Sequence, residues 1–164
     1  GIYFIPKAIF LPLIVIFTSI LVVLLPEISR KSIIKEKDYI QNLLSNSYRT
    51  VSFLCSPFCI ILFYVSPIIL PLLFGNEFQS SVHVLQFFLI IFYFQSITDI
   101  SRTCAIGLGY TTSILKITFW ALMINVVFNL LFIPEEIFGV ELFGYGALGA
   151  VLATLIAVFF RLFC

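Results

Sequence analysis

Few side chains in this chain can do chemistry, and most of them lie inside long apolar runs. Lys7 follows the uncharged opening GIYFIP and precedes a run with no further charge before Glu27. A cation there has two uses: it meets an anionic ligand in a polar cavity, or it snorkels its ammonium to nearby headgroups. Asn125 and Asn129 are spaced i, i+4 in the run TTSILKITFWALMINVVFNLLFI, so on a helix they share a face. Carboxamides on such a face bond a neighbouring helix, at about 0.6 kcal/mol each in lipid, or contact a polar ligand. Asp99 and Arg102 are i, i+3 neighbours and read as a structural ion pair near the end of an apolar run. His83 reads as an interface residue, and Gln86 and Gln95 are weaker candidates on the same run.

These groups make no catalytic constellation. There is no phosphate-cradling glycine loop of the Walker type, and the single histidine leaves no zinc-helix pair. Cys55 and Cys59 are one helical turn apart, but no His, Asp or Glu joins them, so they read as small packing residues, as do Cys104 and Cys164. The expectation is a chain that is not an enzyme, with no metal and no cofactor. A net charge of +1 removes the electrostatic case for a nucleic-acid partner.

The elements that hold these residues follow from composition. The chain is 62% hydrophobic and 10% charged, with mean hydropathy +1.18. Soluble domains are about 45–50% apolar and about 25% charged, so the solvent here is a membrane lipid. The predicted fold is all-α, a polytopic transmembrane helix bundle of about five spans: 2–25, 51–74, 80–100, 112–133 and 146–160. Pro6 and Pro12 kink the first span, and Pro57, Pro67 and Pro71 bend the second. Gly146, Ala150, Ala153 and Ala157 line one face of the last at small-xxx-small spacing, which lets another helix approach closely.

Residues 27–49 are the one long polar passage. Ile33, Ile34, Ile40, Leu43 and Leu44 recur there at roughly helical spacing among lysines, a pattern that predicts a short amphipathic helix in the cytoplasmic interface. Alternate crossings place Arg30, Lys31, Lys35, Lys37, Arg49, Arg102, Lys116 and Arg161 on one side and only Lys7 towards the other. Positive charge favours the cytoplasmic side, so the N-terminus is expected outside and the C-terminus inside a multi-pass protein of the cell membrane. Both ends read as cut, which makes the chain a fragment of a longer protein.

The order of GIYFIPKAIF, LLPEIS with its charged loop, ILPLLFGNEF, CAIGLGYTTSILK, INVVFNLLFIP and GYGALGAVLAT resembles the C-terminal half of polysaccharide-biosynthesis flippases. These are the Wzx-type transporters of the multidrug/oligosaccharidyl-lipid/polysaccharide exporter superfamily. The resemblance implies a fragment of a two-lobe transporter whose partner is the missing N-terminal lobe of the same chain. It further implies that the protein flips a lipid-linked oligosaccharide on an isoprenoid-diphosphate carrier. On this reading Lys7, Asn125 and Asn129 are cargo-binding candidates. A drug/cation antiporter or a lipid II flippase of the same superfamily is the alternative. A membrane-embedded glycosyltransferase or polymerase, or a structural subunit, represents another class.

Overall fold

A computed structural model describes residues 15, 19, 25–30, 37–79, 81–137, 140–141 and 143–164. Helix α1 spans Lys37–Phe74, and a short 3-10 turn, Asn76–Phe78, leads into α2, Ser81–Gly107. Then come α3, Thr111–Phe132, a ladder of β1 (Glu136–Ile137) with β2 (Val140–Glu141), and α4, Gly146–Phe163. Four helices are long and apolar enough to cross a bilayer among the described residues, and the protein is an all-α polytopic membrane bundle. The predicted span 2–25 lies outside the described residues apart from isolated positions, while residues 25–30 are helical.

The polar passage does not form a helix of its own in its described part. Lys37 to Arg49 run without a break into the span that sequence places from Val51. Ile40 packs with Ile28 and Cys104, with Leu43 and Leu44 against them, so the first turns of α1 have an apolar partner. Hydropathy sets a span boundary where lipid preference ends, and helicity does not stop there. At about 1.5 Å per residue the 38 residues of α1 measure about 57 Å, against ~30 Å of hydrocarbon. The polar start of α1 therefore stands clear of the lipid core.

Pro57, Pro67 and Pro71 all lie within α1. Each proline lacks the N–H that would bond the carbonyl four residues earlier. For Pro67 that carbonyl belongs to Phe63, and two side chains donate to it instead: Ser66 Oγ at 2.9 Å and Gln86 Nε2 of α2 at 3.3 Å. The second bond ties α1 to its neighbour at this carbonyl.

Helix α2 is the axis of the bundle, with 56% of its spanning window buried against 6% for α3. Phe88, Ile91, Phe92 and Ile100 of α2 form one core with Val51, Cys55 and Cys59 of α1 and Val151 and Val158 of α4. The outer faces of α1 and α3 present Phe53, Ile68, Leu72, Leu115, Trp120 and Val127, all exposed. In water such surface would drive aggregation, and in lipid it is the solvated side. Helix α2 ends in a reverse turn where Tyr110 N–H donates to Ala105 O at 2.9 Å and Gly109 N–H to Ile106 O at 3.0 Å. Gly109, at φ 91, occupies the left-handed position this termination requires.

Helices α3 and α4 meet most closely at Gly149. A Cβ there would lie 2.5 Å from the carbonyl oxygen of Phe132, which itself accepts from Tyr145 N–H at 2.8 Å. Of the four small residues singled out in sequence, Ala153 and Ala157 are buried, whereas Gly146 and Ala150 are part-exposed. Replacing Gly149 with Val should displace the Phe132 carbonyl from its bond and destabilise the bundle by about 1–3 kcal/mol, an overpacking cost. Ala150→Val, on the part-exposed side, should stay within about 0.5 kcal/mol. Thermal unfolding in mild detergent reads both, and equal melting of the two variants would refute the close approach.

Candidate ligand-binding groove

The helices bring two polar groups of residues onto one groove. In the first, Asn129 Nδ2 donates to Asn125 Oδ1 at 2.9 Å, and Asn125 Nδ2 donates across to Thr154 Oγ1 of α4 at 3.4 Å. Thr154 Oγ1 in turn donates to Ala150 O at 2.8 Å. The i, i+4 spacing of the asparagines thus serves both a bond within α3 and a bond between helices. Asn129 Oδ1 is buried with no hydrogen-bond partner.

The second group lies nearer the end of α2. Gln95 Nε2 sits 3.0 Å from both carboxylate oxygens of Asp99, and Gln95 Oε1 accepts from Arg161 Nη2 of α4 at 2.9 Å. Arg102 stands 3.9 Å from Asp99, the outer limit of an ion pair, with its side chain 45% exposed. Asp99 and Arg102 are therefore two members of a four-residue network whose centre is Gln95. Gln95 was a weak candidate in sequence, and Arg161 was only a cation at the end of a span. The repeat Gln95, Asp99, Arg102 at i, i+4, i+7 shows the shared helix face, but a bond reaching 66 residues along the chain has no local signal.

Two cavities run beside these groups, lined from the first by Asn125 and Thr154 and from the second by Arg102 and Arg161. One of about 270 Å³ is lined by Thr118, Ala121, Leu122, Asn125, Thr154, Ala157 and Arg161. The other, about 220 Å³, includes Thr98, Ser101, Arg102, Thr118 and Arg161. Thr118 and Arg161 belong to both, so the groove presents a carboxamide, hydroxyls and two guanidiniums along the α3–α4 seam and on to the end of α2. Such a lining suits a ligand with hydroxyl groups and an anionic end.

Other candidates fall elsewhere. Lys7 lies outside the described residues. His83 is exposed near the start of α2, and Gln86 serves the Phe63 carbonyl. Cys55, Cys59 and Cys104 are free thiols buried in apolar clusters, and no cluster of three metal-ligating side chains occurs among the described residues.

The helix ends also sort the charges. Tyr48 bonds Ser101, which sets the start of α1 beside the end of α2, and Arg161 reaches α2 from the end of α4. Arg30, Lys37, Arg49, Arg102, Lys116 and Arg161 therefore gather at one end of the bundle. Glu77, Glu135, Glu136 and Glu141 lie at the other, with no described cation.

Against protein-family models, the sequence matches the lipid II flippase MurJ from residue 7 to residue 163. The chain belongs to the MurJ family. Neither a curated protein nor a solved structure matches it. The superfamily implied by the ordered segments is thus the right one. The branch differs: the match falls on the lipid II flippases, which the sequence reading held as the alternative, and gives no support to Wzx-type specificity. Membership of the MurJ family and the four apolar helices make the protein a multi-pass membrane transporter protein of the flippase class.

The Gln95 network makes a prediction. Gln95→Leu leaves Arg161 and Asp99 without their shared partner and should destabilise the bundle by about 1–3 kcal/mol, the penalty for stranded buried polar groups. Asn125→Ala gives up two neutral side-chain bonds, to Thr154 and from Asn129, and should lose about 1.2 kcal/mol at ~0.6 kcal/mol each, whereas Gln95→Leu strands two charged groups and falls at the upper end of its range. Denaturant titration in detergent micelles compares them, and a Gln95→Leu variant as stable as Asn125→Ala would overturn the ranking.

Proposed function

We propose that this chain is part of a flippase that moves an isoprenoid-diphosphate-linked saccharide from the cytoplasmic to the outer leaflet of the cell membrane, with lipid II as cargo. The observation that carries this reading is the MurJ match across residues 7–163. The physical need is clear: a polar glycan cannot cross ~30 Å of hydrocarbon without a lined path. The α3–α4 groove supports the reading with the hydrogen-bonding and cationic groups such a cargo needs. Asn125, which lines the groove, and Asn129, one turn along the same helix face, are the sugar-contact candidates, and Lys7 is the candidate cation for the diphosphate. An N-terminal lobe of the same protein supplies the opposite wall.

A second reading keeps the family mechanism and changes the cargo to a lipid-linked oligosaccharide for polysaccharide biosynthesis. The ordered elements LLPEIS and ILPLLFGNEF favour it. The orientation is common to both. The end that gathers the cations is cytoplasmic, which sets the N-terminus outside and the C-terminus inside.

Complementation separates the cargoes. The full-length parent should restore growth to a host depleted of its own lipid II flippase. Surface glycan regained only in a host lacking its oligosaccharide flippase would establish the second reading, and failure in both with verified insertion would overturn each. In whichever host responds, Lys7→Gln should lower rescue at unchanged membrane level, and full rescue would return Lys7 to the headgroups. Orientation has its own check in a Cys164→Ser background. Glu135→Cys should react with an impermeant maleimide in intact cells and Lys116→Cys only after permeabilisation; the reverse pattern would invert the topology.

A further inference from the structure

Arg161 differs from the other described cations. Arg30, Lys37, Arg49, Arg102 and Lys116 are exposed, whereas Arg161 is partly buried, near the end of α4. One of its N–H groups, on Nη2, donates to Gln95. Its Nε is buried and has no hydrogen-bond partner. A buried N–H without an acceptor is costly, so this guanidinium is incompletely satisfied by the protein, and the same residue lines a cavity. Two cavities adjoin it, and the one of about 220 Å³ also carries Arg102 and the hydroxyl-bearing residues Thr98, Ser101 and Thr118. That volume is about seven times the share of one liquid water, room for a five-atom phosphate and its ester link.

The charges point to an anion. The cluster holds two guanidiniums and one carboxylate, and both Asp99 oxygens are already within reach of Gln95. Arg102 holds Asp99 only at 3.9 Å. One positive charge is therefore left over, on groups whose planar forks match phosphate oxygens. The depth fits as well, because Arg161 lies in the last turn of a spanning helix, at the end where the described cations gather. Phospholipid phosphates occupy that level of a bilayer.

We propose that the pocket between the ends of α2, α3 and α4 is a phosphate-binding site in which Arg161 and Arg102 grip the phosphate ester of a membrane lipid. The chemistry is common to a bilayer phospholipid and to a diphosphate-linked lipid. With a bilayer phospholipid as ligand the site is independent of transport; with a diphosphate-linked lipid it deepens the flippase reading and rests on it, and the two lipid probes below tell the cases apart.

The test titrates the full-length protein in neutral detergent with three probes: dioctanoyl phosphatidylglycerol, farnesyl diphosphate and dioctanoylglycerol, which has no phosphate. Native mass spectrometry reads the bound fraction. At least one phosphate lipid should bind and dioctanoylglycerol should not. The tighter of the two phosphate lipids identifies the source, phospholipid or diphosphate carrier. Arg161→Gln should weaken binding about tenfold and Arg102→Gln about threefold, charge-assisted bonds being the stronger kind. Lys116→Gln, outside the pocket, should bind as the parent does. If Arg161→Gln fails to fold, Arg161→Lys, which keeps the charge and loses the fork, takes its place. Equal binding of dioctanoylglycerol, or unchanged affinity in both the Arg161 and Arg102 variants, would overturn the site.

Discussion

Every backbone carbonyl and N–H inside a bilayer must find its partner within the protein, because lipid offers none. That constraint sorts the polar side chains of this chain. Ser47 donates to Leu43 O and Ser96 to Phe92 O, each folding back on its own helix. Ser66 and Gln86 serve the carbonyl that Pro67 releases. These residues are polar for the sake of the backbone or at no cost to it. Gln95, Asn125, Asn129 and Arg161 are different, since their polar atoms reach other side chains or a cavity. Setting the first group aside leaves Asn125 and Arg161, which line the groove, and their bonding partners Asn129 and Gln95.

The same constraint explains why α2 is the hub. A helix packed by α1 and α4 can hold Gln86, Gln95 and Asp99 away from lipid, where an outer helix such as α3 would expose them. Polar function therefore concentrates where α2 meets its neighbours. The apolar surfaces of α1 and α3 carry Phe, Leu, Ile and Trp outward and supply the match to lipid instead.

Much of this was legible in the chain. The spans ending at Phe74 and those around α3 and α4 follow from uninterrupted apolar runs, and Pro57, Pro67 and Pro71 lie within the helix that holds the first of them. The Asn125 and Asn129 face is plain from spacing. What stayed hidden is tertiary. Gly149 and Gly146 both sit in small-residue series along α4, and only the approach of Phe132 chooses between them. Arg161 looks like an ordinary terminal cation until Gln95 comes beside it. The continuity of α1 was hidden for another reason: Lys37 to Arg49 have helical spacing but polar composition, and hydropathy reports the second. Superfamily was readable from the order of segments; the branch was not, because no short motif separates its members.

The length of α1 has a mechanical consequence. Of its roughly 57 Å, only ~30 Å can lie in hydrocarbon, so about 27 Å of the same rod projects beyond it, in its proline-free first turns. A rod of that kind is a lever whose fulcrum lies within the bilayer. A tilt of about 10° in the span sweeps the far end sideways by about 5 Å, close to one helical turn. Since Ile40 and Tyr39 tie that end to residues 25–30, such a swing would drag the preceding segment with it. Small rearrangements among packed helices would thus be delivered, enlarged, to the polar end of the molecule.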